Sequence, residues 1–175
     1  NVDQCIGCQS CVSACKSENL TPSGVNWRRI SKISEDVFLS LSCNHCESPE
    51  CFRVCPEKAY TKRRDGIVMI NQNRCNGCMD CVSACPFGAP QFDYEQHRAS
   101  KCNMCYTRLQ NNLQPRCVES CPTEALQIID FSQDLPLLFA PKIDGFPDIV
   151  LTKPSTRFIP PRPRRRFWLN SKAIS

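Results

Sequence analysis

No stretch of the 175 residues approaches the roughly 20 apolar positions that a membrane-spanning helix requires, so no helical bilayer crossing is expected within this sequence. Also missing are a nucleophile with a partnered base, a phosphate-binding loop and an open metal position. Conversion of a substrate by this chain alone is therefore not expected. Aliphatic residues are in short supply once cysteine is subtracted from the 41% hydrophobic fraction, and a chain of this size must still bury something. Acidic residues are absent from Lys153 onward, where seven basic residues lie; before that point Lys plus Arg number 15 against 17 Asp plus Glu. The late stretch TRFIPPRPRRRFW carries charge that could meet nucleic acid. Its prolines and its want of a stacking platform instead favour a solvated tail or one wrapped on a partner.

What the sequence does have is cysteine, 16 of them, about a tenth of the chain. They fall into four groups of four: Cys5, Cys8, Cys11 and Cys15; Cys43, Cys46, Cys51 and Cys55; Cys75, Cys78, Cys81 and Cys85; Cys102, Cys105, Cys117 and Cys121. Disulfide frameworks scatter their cysteines to tie distant segments together, whereas nearly every cysteine here has another two to four residues away. Such clustering points to metal, whose thiolate bonds contribute folding free energy directly.

Groups one and three are near copies, CIGCQSCVSAC against CNGCMDCVSAC, with eight of eleven positions identical at an offset of 70 residues. Groups two and four share C-N-x-C and then C-x3-C-P followed by Glu and Ala. The chain is internally duplicated. C-x2-C-x2-C-x3-C is the run that holds cubane 4Fe-4S clusters, three thiolates on one cluster and the fourth on another. Gly7 and Gly77 suit a loop that passes close to such a cluster, because glycine has no side chain to obstruct it. Zinc sites also use C-x2-C units and stay open as an alternative, although three ligands at this spacing with a fourth at x3, occurring twice, are unusual for tetrahedral zinc.

Between groups two and three, an extended run at 59 to 62, an Asp65-Gly66 turn and an apolar strand at 67 to 70 read as a hairpin. It makes residues 43 to 90 one two-cluster unit, with Cys43, Cys46 and Cys51 sharing a cluster with Cys85, and Cys75, Cys78 and Cys81 sharing one with Cys55. Groups one and four are left for each other: Cys5, Cys8 and Cys11 with Cys121, and Cys102, Cys105 and Cys117 with Cys15. Residues 125 to 129 (ALQII) are expected as a strand with 1 to 5 beside it. The expected fold is α+β: two ferredoxin-like two-cluster units, one inserted in the other, with small β-hairpins and short helices near 9 to 18, 79 to 85 and 104 to 112. The first unit spans 1 to 42 and 91 to 130, the inserted unit 43 to 90. Residues 131 to 175 form an irregular, proline-broken tail that binds a partner, and losing 152 to 175 is expected to leave metal content intact. The chain opens on Asn1 rather than methionine, which is compatible with a signal or strand upstream.

LSCNHCESPECFRVCP, CNGCMDCVSACPFGAPQFD, SKCNMCYTR and the late TKPSTRF resemble the four-cluster electron-transfer subunits of membrane-bound molybdopterin oxidoreductases, in particular those of dimethyl sulfoxide reductases. The resemblance covers essentially the whole chain, most specifically residues 1 to 130. It implies four 4Fe-4S clusters, a molybdopterin-containing catalytic partner and an integral membrane anchor that oxidises quinol. It also implies a peripheral position at the cytoplasmic membrane, on the extracytoplasmic face, and an electron path from the Cys43 cluster through those of Cys75, Cys102 and Cys5. All 16 ligand positions are cysteine, whereas a related nitrate reductase subunit replaces one in its third group. A zinc-stabilised scaffold with a nucleic-acid-binding tail and a soluble polyferredoxin are the competing readings.

Four oxidised cubanes held by thiolates would add about −8 and turn the formal +5 into roughly −3, so nearby cations matter. Arg74, Lys101 and Arg116 each precede a candidate ligand and could raise a reduction potential; simple surface solvation is an equal reading. His45, inside CNHC, reads as a structural residue beside a site whose four sulfurs are already assigned.

Overall fold

The computed structural model describes residues 1 to 162; the remainder, including most of the basic run, lies outside the described residues. Five short helices and three hairpins alternate along it, a small α+β arrangement of ferredoxin type. Helix α1 spans Ser10–Asn19, strand β1 Arg29–Ser34, β2 Val37–Leu41, α2 Glu50–Arg53, β3 Tyr60–Lys62, β4 Val68–Ile70, α3 Asp80–Ala84, β5 Gln91–Asp93, β6 Arg98–Ser100, α4 Tyr106–Gln110 and α5 Arg116–Glu119. A single 3-10 turn, Gln72–Arg74, precedes the third cysteine group.

The expected hairpin between groups two and three is present, with Tyr60 opposite Ile70 and Lys62 opposite Val68. Its turn closes as the sequence requires: Gly66 takes φ +83°, and the Asp65 carboxylate accepts from the Ile67 N–H at 3.1 Å. The helices lie where expected, as α1, α3 and α4. Two further hairpins were not foreseen. Strands β1 and β2 pair from Arg29 against Leu41 to Ser34 against Val37, and β5 and β6 pair from Gln91 against Ser100 to Asp93 against Arg98.

The strand expected at 125 to 129 does not form. Its intended partner is engaged elsewhere, since the Val2 N–H donates to Ile159 O at 2.9 Å and the chain turns at once, Cys5 N–H reaching Val2 O. One bond survives between the two segments, from the Asn1 ammonium to Ala125 O at 2.7 Å.

Two apolar clusters hold the fold, and cysteines belong to both. One joins Val2, Leu39, Cys46 and Phe87 to Ile143, Phe146 and Phe158; the other joins Cys51, Tyr60, Val68, Cys81 and Ala99. Phe146 stacks on Phe87 at 5.1 Å and meets Phe158 edge-on at 4.9 Å. The region expected as an extended, partner-binding tail is therefore, up to residue 162, partly core of this chain. Proline prevents helix and strand there but not burial, and Ala140 and Phe158 exchange a pair of 2.7 Å backbone bonds that pin the loop. Helix α1 packs on α5, and α2 on α3.

Candidate metal centres

All sixteen cysteines are free thiols. Cys8 and Cys78 are exposed, eight are buried and the rest are half-buried. The short helices place them: each C-x2-C-x2-C loop runs into a helix whose first turn carries the third cysteine, Cys11 on α1 and Cys81 on α3. Entry to those helices is through left-handed residues, Gln9 and Met79, both at φ 66°. Gly7 at φ +70° and Gly77 at +80° sit earlier in the same two loops. A Cβ on Gly7 would fall 2.8 Å from the Phe38 ring, and one on Gly77 would fall 2.5 Å from His97 O. Hairpins β1–β2 and β5–β6 are thus lids on equivalent loops, and they extend the sequence repeat into three dimensions.

The thiols gather in four sets. Cys43, Cys46, Cys51 and Cys85 line a cavity with Val68, Lys101 and Thr152. Cys55, Cys75, Cys78 and Cys81 line another with Tyr60 and Ala99. Cys5 lies close enough to Cys11, Cys121 and Cys8 for their charges to interact. Cys15 does so with Cys102, Cys117 and Cys105. Cys15, on α1 and the fourth cysteine of the first group, is therefore beside the fourth group, away from its sequence neighbours.

Burial pushes the thiols of Cys15, Cys46 and Cys51 up to about 12, with neighbouring sulfurs adding to it. Without a cation these groups stay protonated, and they ionise only when a metal takes the place of the proton. Backbone amides are aimed at the sulfurs: His45 N–H to Cys43 at 3.5 Å, Met104 N–H to Cys102 at 3.4 Å, Ala59 N–H to Cys55 at 3.4 Å, Ala89 N–H to Cys85 at 3.5 Å and Ala99 N–H to Cys75 at 3.5 Å. Two buried hydroxyls, Tyr60 Oη and Thr152 Oγ1, form no hydrogen bond of good geometry among the described residues, and each is directed instead at a thiol, Cys81 and Cys46 respectively.

Among the described residues no three Cys, His, Asp or Glu side chains converge on a point as a single ion would demand. The Cys43 and Cys75 sets instead surround small voids, and backbone amides point at sulfurs of three of the four sets. This donor set fits a cluster with several metal atoms better than tetrahedral zinc.

The sets stand in a file. Cys102 interacts with Cys43, and Lys101 bridges them, lining the Cys43 cavity while its ammonium donates to Cys102 O at 3.0 Å. Tyr60 lies between Cys81 on one side and Cys51 and Cys43 on the other. The order is thus the Cys5, Cys102, Cys43 and Cys75 groups, with an exposed cysteine at each end. The expected path began at the Cys43 group and passed next to that of Cys75; because Lys101 and Cys102 adjoin the Cys43 group, it sits inside the file, and the Cys75 group is terminal.

His45 is structural, as expected: buried, its Nδ1 accepts from Val68 N–H at 3.1 Å, and burial followed by the Lys101 charge pushes its pKa down to about 3. Of the three cations singled out by sequence, Arg74 and Arg116 are exposed, Arg116 pairing with Glu119, and only Lys101 is buried. Arg28 was missed because no cysteine adjoins it in sequence. Its guanidinium donates to Ser40 Oγ at 2.8 Å and Ser42 Oγ at 2.9 Å.

Fold and thiol sets together define an iron-sulfur protein. The 4Fe-4S dicluster domain matches twice, over residues 4–59 and 34–131. The YnfG subunit of a probable anaerobic dimethyl sulfoxide reductase of Escherichia coli K12 is 43% identical over 140 residues, 71% of this chain and 68% of that protein. The B subunit of the anaerobic dimethyl sulfoxide reductase of the same organism is 43% identical over 139 residues, covering 70% and 67%. The B subunit of the polysulfide reductase of Wolinella succinogenes is 43% identical over 138 residues, covering 73% and 72%. The chain belongs to the 4Fe-4S dicluster family, among the iron-sulfur subunits of molybdopterin oxidoreductases.

Proposed function

We propose that this chain relays electrons, without itself converting a substrate, between a quinol-oxidising membrane anchor and a molybdopterin-containing catalytic subunit. The observation that carries this reading is the file of four thiol sets with an exposed cysteine at either end. Cys5, Cys8, Cys11 and Cys121 would hold the first 4Fe-4S cluster, and Cys15, Cys102, Cys105 and Cys117 the second in the file. Cys43, Cys46, Cys51 and Cys85 would hold the third, and Cys55, Cys75, Cys78 and Cys81 the last. Such clusters supply one-electron transfer when bound. The chain's own part is to fix their spacing, donate hydrogen bonds to their sulfurs and exclude water.

Residues 43 to 90 then form a two-cluster unit inserted into one made by 1 to 42 and 91 to 130. Packing of α2 on α3 and of α1 on α5 supports that nesting. No helix among the described residues is long and apolar enough to cross a membrane, so attachment at the cytoplasmic membrane, on the extracytoplasmic face, would come through the anchor. The Cys75 end faces that anchor, and the Cys5 end faces the catalytic subunit.

The experiment compares quinol with reduced viologen, which feeds a catalytic subunit directly, in complexes carrying Cys75→Ser. Loss of quinol-driven turnover with viologen activity retained is expected. Undiminished quinol turnover in a complex demonstrably lacking that cluster would overturn the relay.

A further inference from the structure

Two cations lie at two of the three junctions of the file, and all their named hydrogen-bond partners are neutral. Lys101 is 2% exposed, among the most buried large side chains in the protein. Its ammonium donates to the carbonyls of Val68 and Cys102, and its side chain lines the cavity of Cys43, Cys46, Cys51 and Cys85. It therefore stands between the second and fourth cysteine groups. Arg28 stands on the other side of the fourth group. Its guanidinium is anchored by Ser40 and Ser42, Ser40 in turn touches Cys11 Sγ at 3.4 Å, and Ser42 precedes Cys43. Cys117, Cys102, Cys11 and Cys15, drawn from the first and fourth groups, all lie close enough to the Arg28 guanidinium for charge on their sulfurs to act on it. Arg28 is half-buried and lines a cavity of about 870 Å³ that also reaches Cys5 and Cys117.

A buried cation without a counter-charge is costly unless something nearby carries negative charge. Thiolate-ligated clusters are that charge, and adding an electron makes them more negative still. At both junctions the cation interacts more strongly with the reduced state than with the oxidised one.

Resting on the iron-sulfur reading above, we propose that Arg28 and Lys101 jointly make the cluster of Cys15, Cys102, Cys105 and Cys117 the most readily reduced of the four. Lys101 also favours reduction at the Cys43 set, and Arg28 at the Cys5 set. The Cys75 set, whose junction is bridged by the neutral phenol of Tyr60, has neither cation.

The test is a redox titration of the purified complex, following each cluster by its electron paramagnetic resonance signal, in wild type, Lys101→Met, Arg28→Met and Arg28→Lys. Both methionine variants should lower the reduced-to-oxidised ratio of the Cys102 cluster at fixed poise by about tenfold or more, equivalent to about 59 mV for one electron. Arg28→Lys should restore most of that, and the Cys75 cluster should not move. If Lys101→Met fails to load iron, Arg28→Met decides alone. Full iron with unshifted potentials in Arg28→Met overturns the proposal, as does an equal shift of all four clusters. Absence of iron and acid-labile sulfide in wild type would instead defeat the underlying iron-sulfur reading.

Discussion

The carbonyl oxygen of His97 stands 2.5 Å from the point that a Cβ on Gly77 would occupy. Gly77 is at φ +80°, so the position is closed to side chains twice over, by conformation and by space. Gly77→Ala should cost about 1–3 kcal/mol in backbone strain alone, plus displacement of the β5–β6 turn. Gly66→Ala, also at positive φ but with nothing within 4 Å, carries only the first cost. Iron content of the two variants checks this: Gly77→Ala loses iron and Gly66→Ala retains it.

Cys15→Ser should damage the site of Cys102, Cys105 and Cys117 and spare that of Cys5, Cys8 and Cys11. About 4 of roughly 16 iron atoms should be lost or loosened, and the resonance signal that disappears should match the one lost in Cys105→Ser. A high-resolution structure with Cys15 on the same cubane as Cys5 would refute the exchange.

Phe158 is buried against Phe146 in the cluster that also contains Cys46. Phe158→Ala should destabilise the fold by about 3–5 kcal/mol. Because Thr152 lies on the cavity of the second group, deletion of residues 152 to 175 should also release iron from that site to a chelator faster than from intact protein. Equal release rates would show that the segment is dispensable for metal retention.

The phenol of Tyr60 is held protonated by burial, and then by the neighbouring sulfurs of Cys81, Cys51 and Cys43. Tyr60→Phe removes a hydroxyl directed at Cys81 while keeping the ring, so the fold should change by no more than about 1 kcal/mol. The Cys75 cluster should become harder to reduce, measured by potentiometry; an unchanged midpoint with full iron would count against a hydroxyl-sulfur interaction.

The helices, the Asp65-Gly66 hairpin and the grouping of thiols were legible because cysteine spacing and turn chemistry are local signals. Hairpin β1–β2 was not, since RISKIS and VFLSL are weakly alternating and gain their reason for pairing only from the loop at Gly7 that Phe38 covers. Residues 125 to 129 show the reverse: an apolar run of strand character stays unpaired because Val2 bonds Ile159 instead. Arg28 and Thr152 reach their sulfurs across long stretches of chain, and no short motif announces either. The prolines after residue 135 match the lack of helix and strand there among the described residues, up to 162, yet they said nothing of the three aromatic rings that bury that region.

Five hydrogen bonds join the late segment to the second cysteine group: Glu47 N–H to Lys153 O, Ser48 N–H to Thr152 O, Ser155 N–H to Asn44 O, Ser155 Oγ to His45 O, and Thr156 Oγ1 to Asn44 Oδ1. A ribosome delivers Cys121 some thirty residues before this strap, so every thiol exists while the Cys43 cavity is still uncovered on one side. The wall that Thr152 contributes to the Cys43 cavity is thus the last part of that cavity to be made.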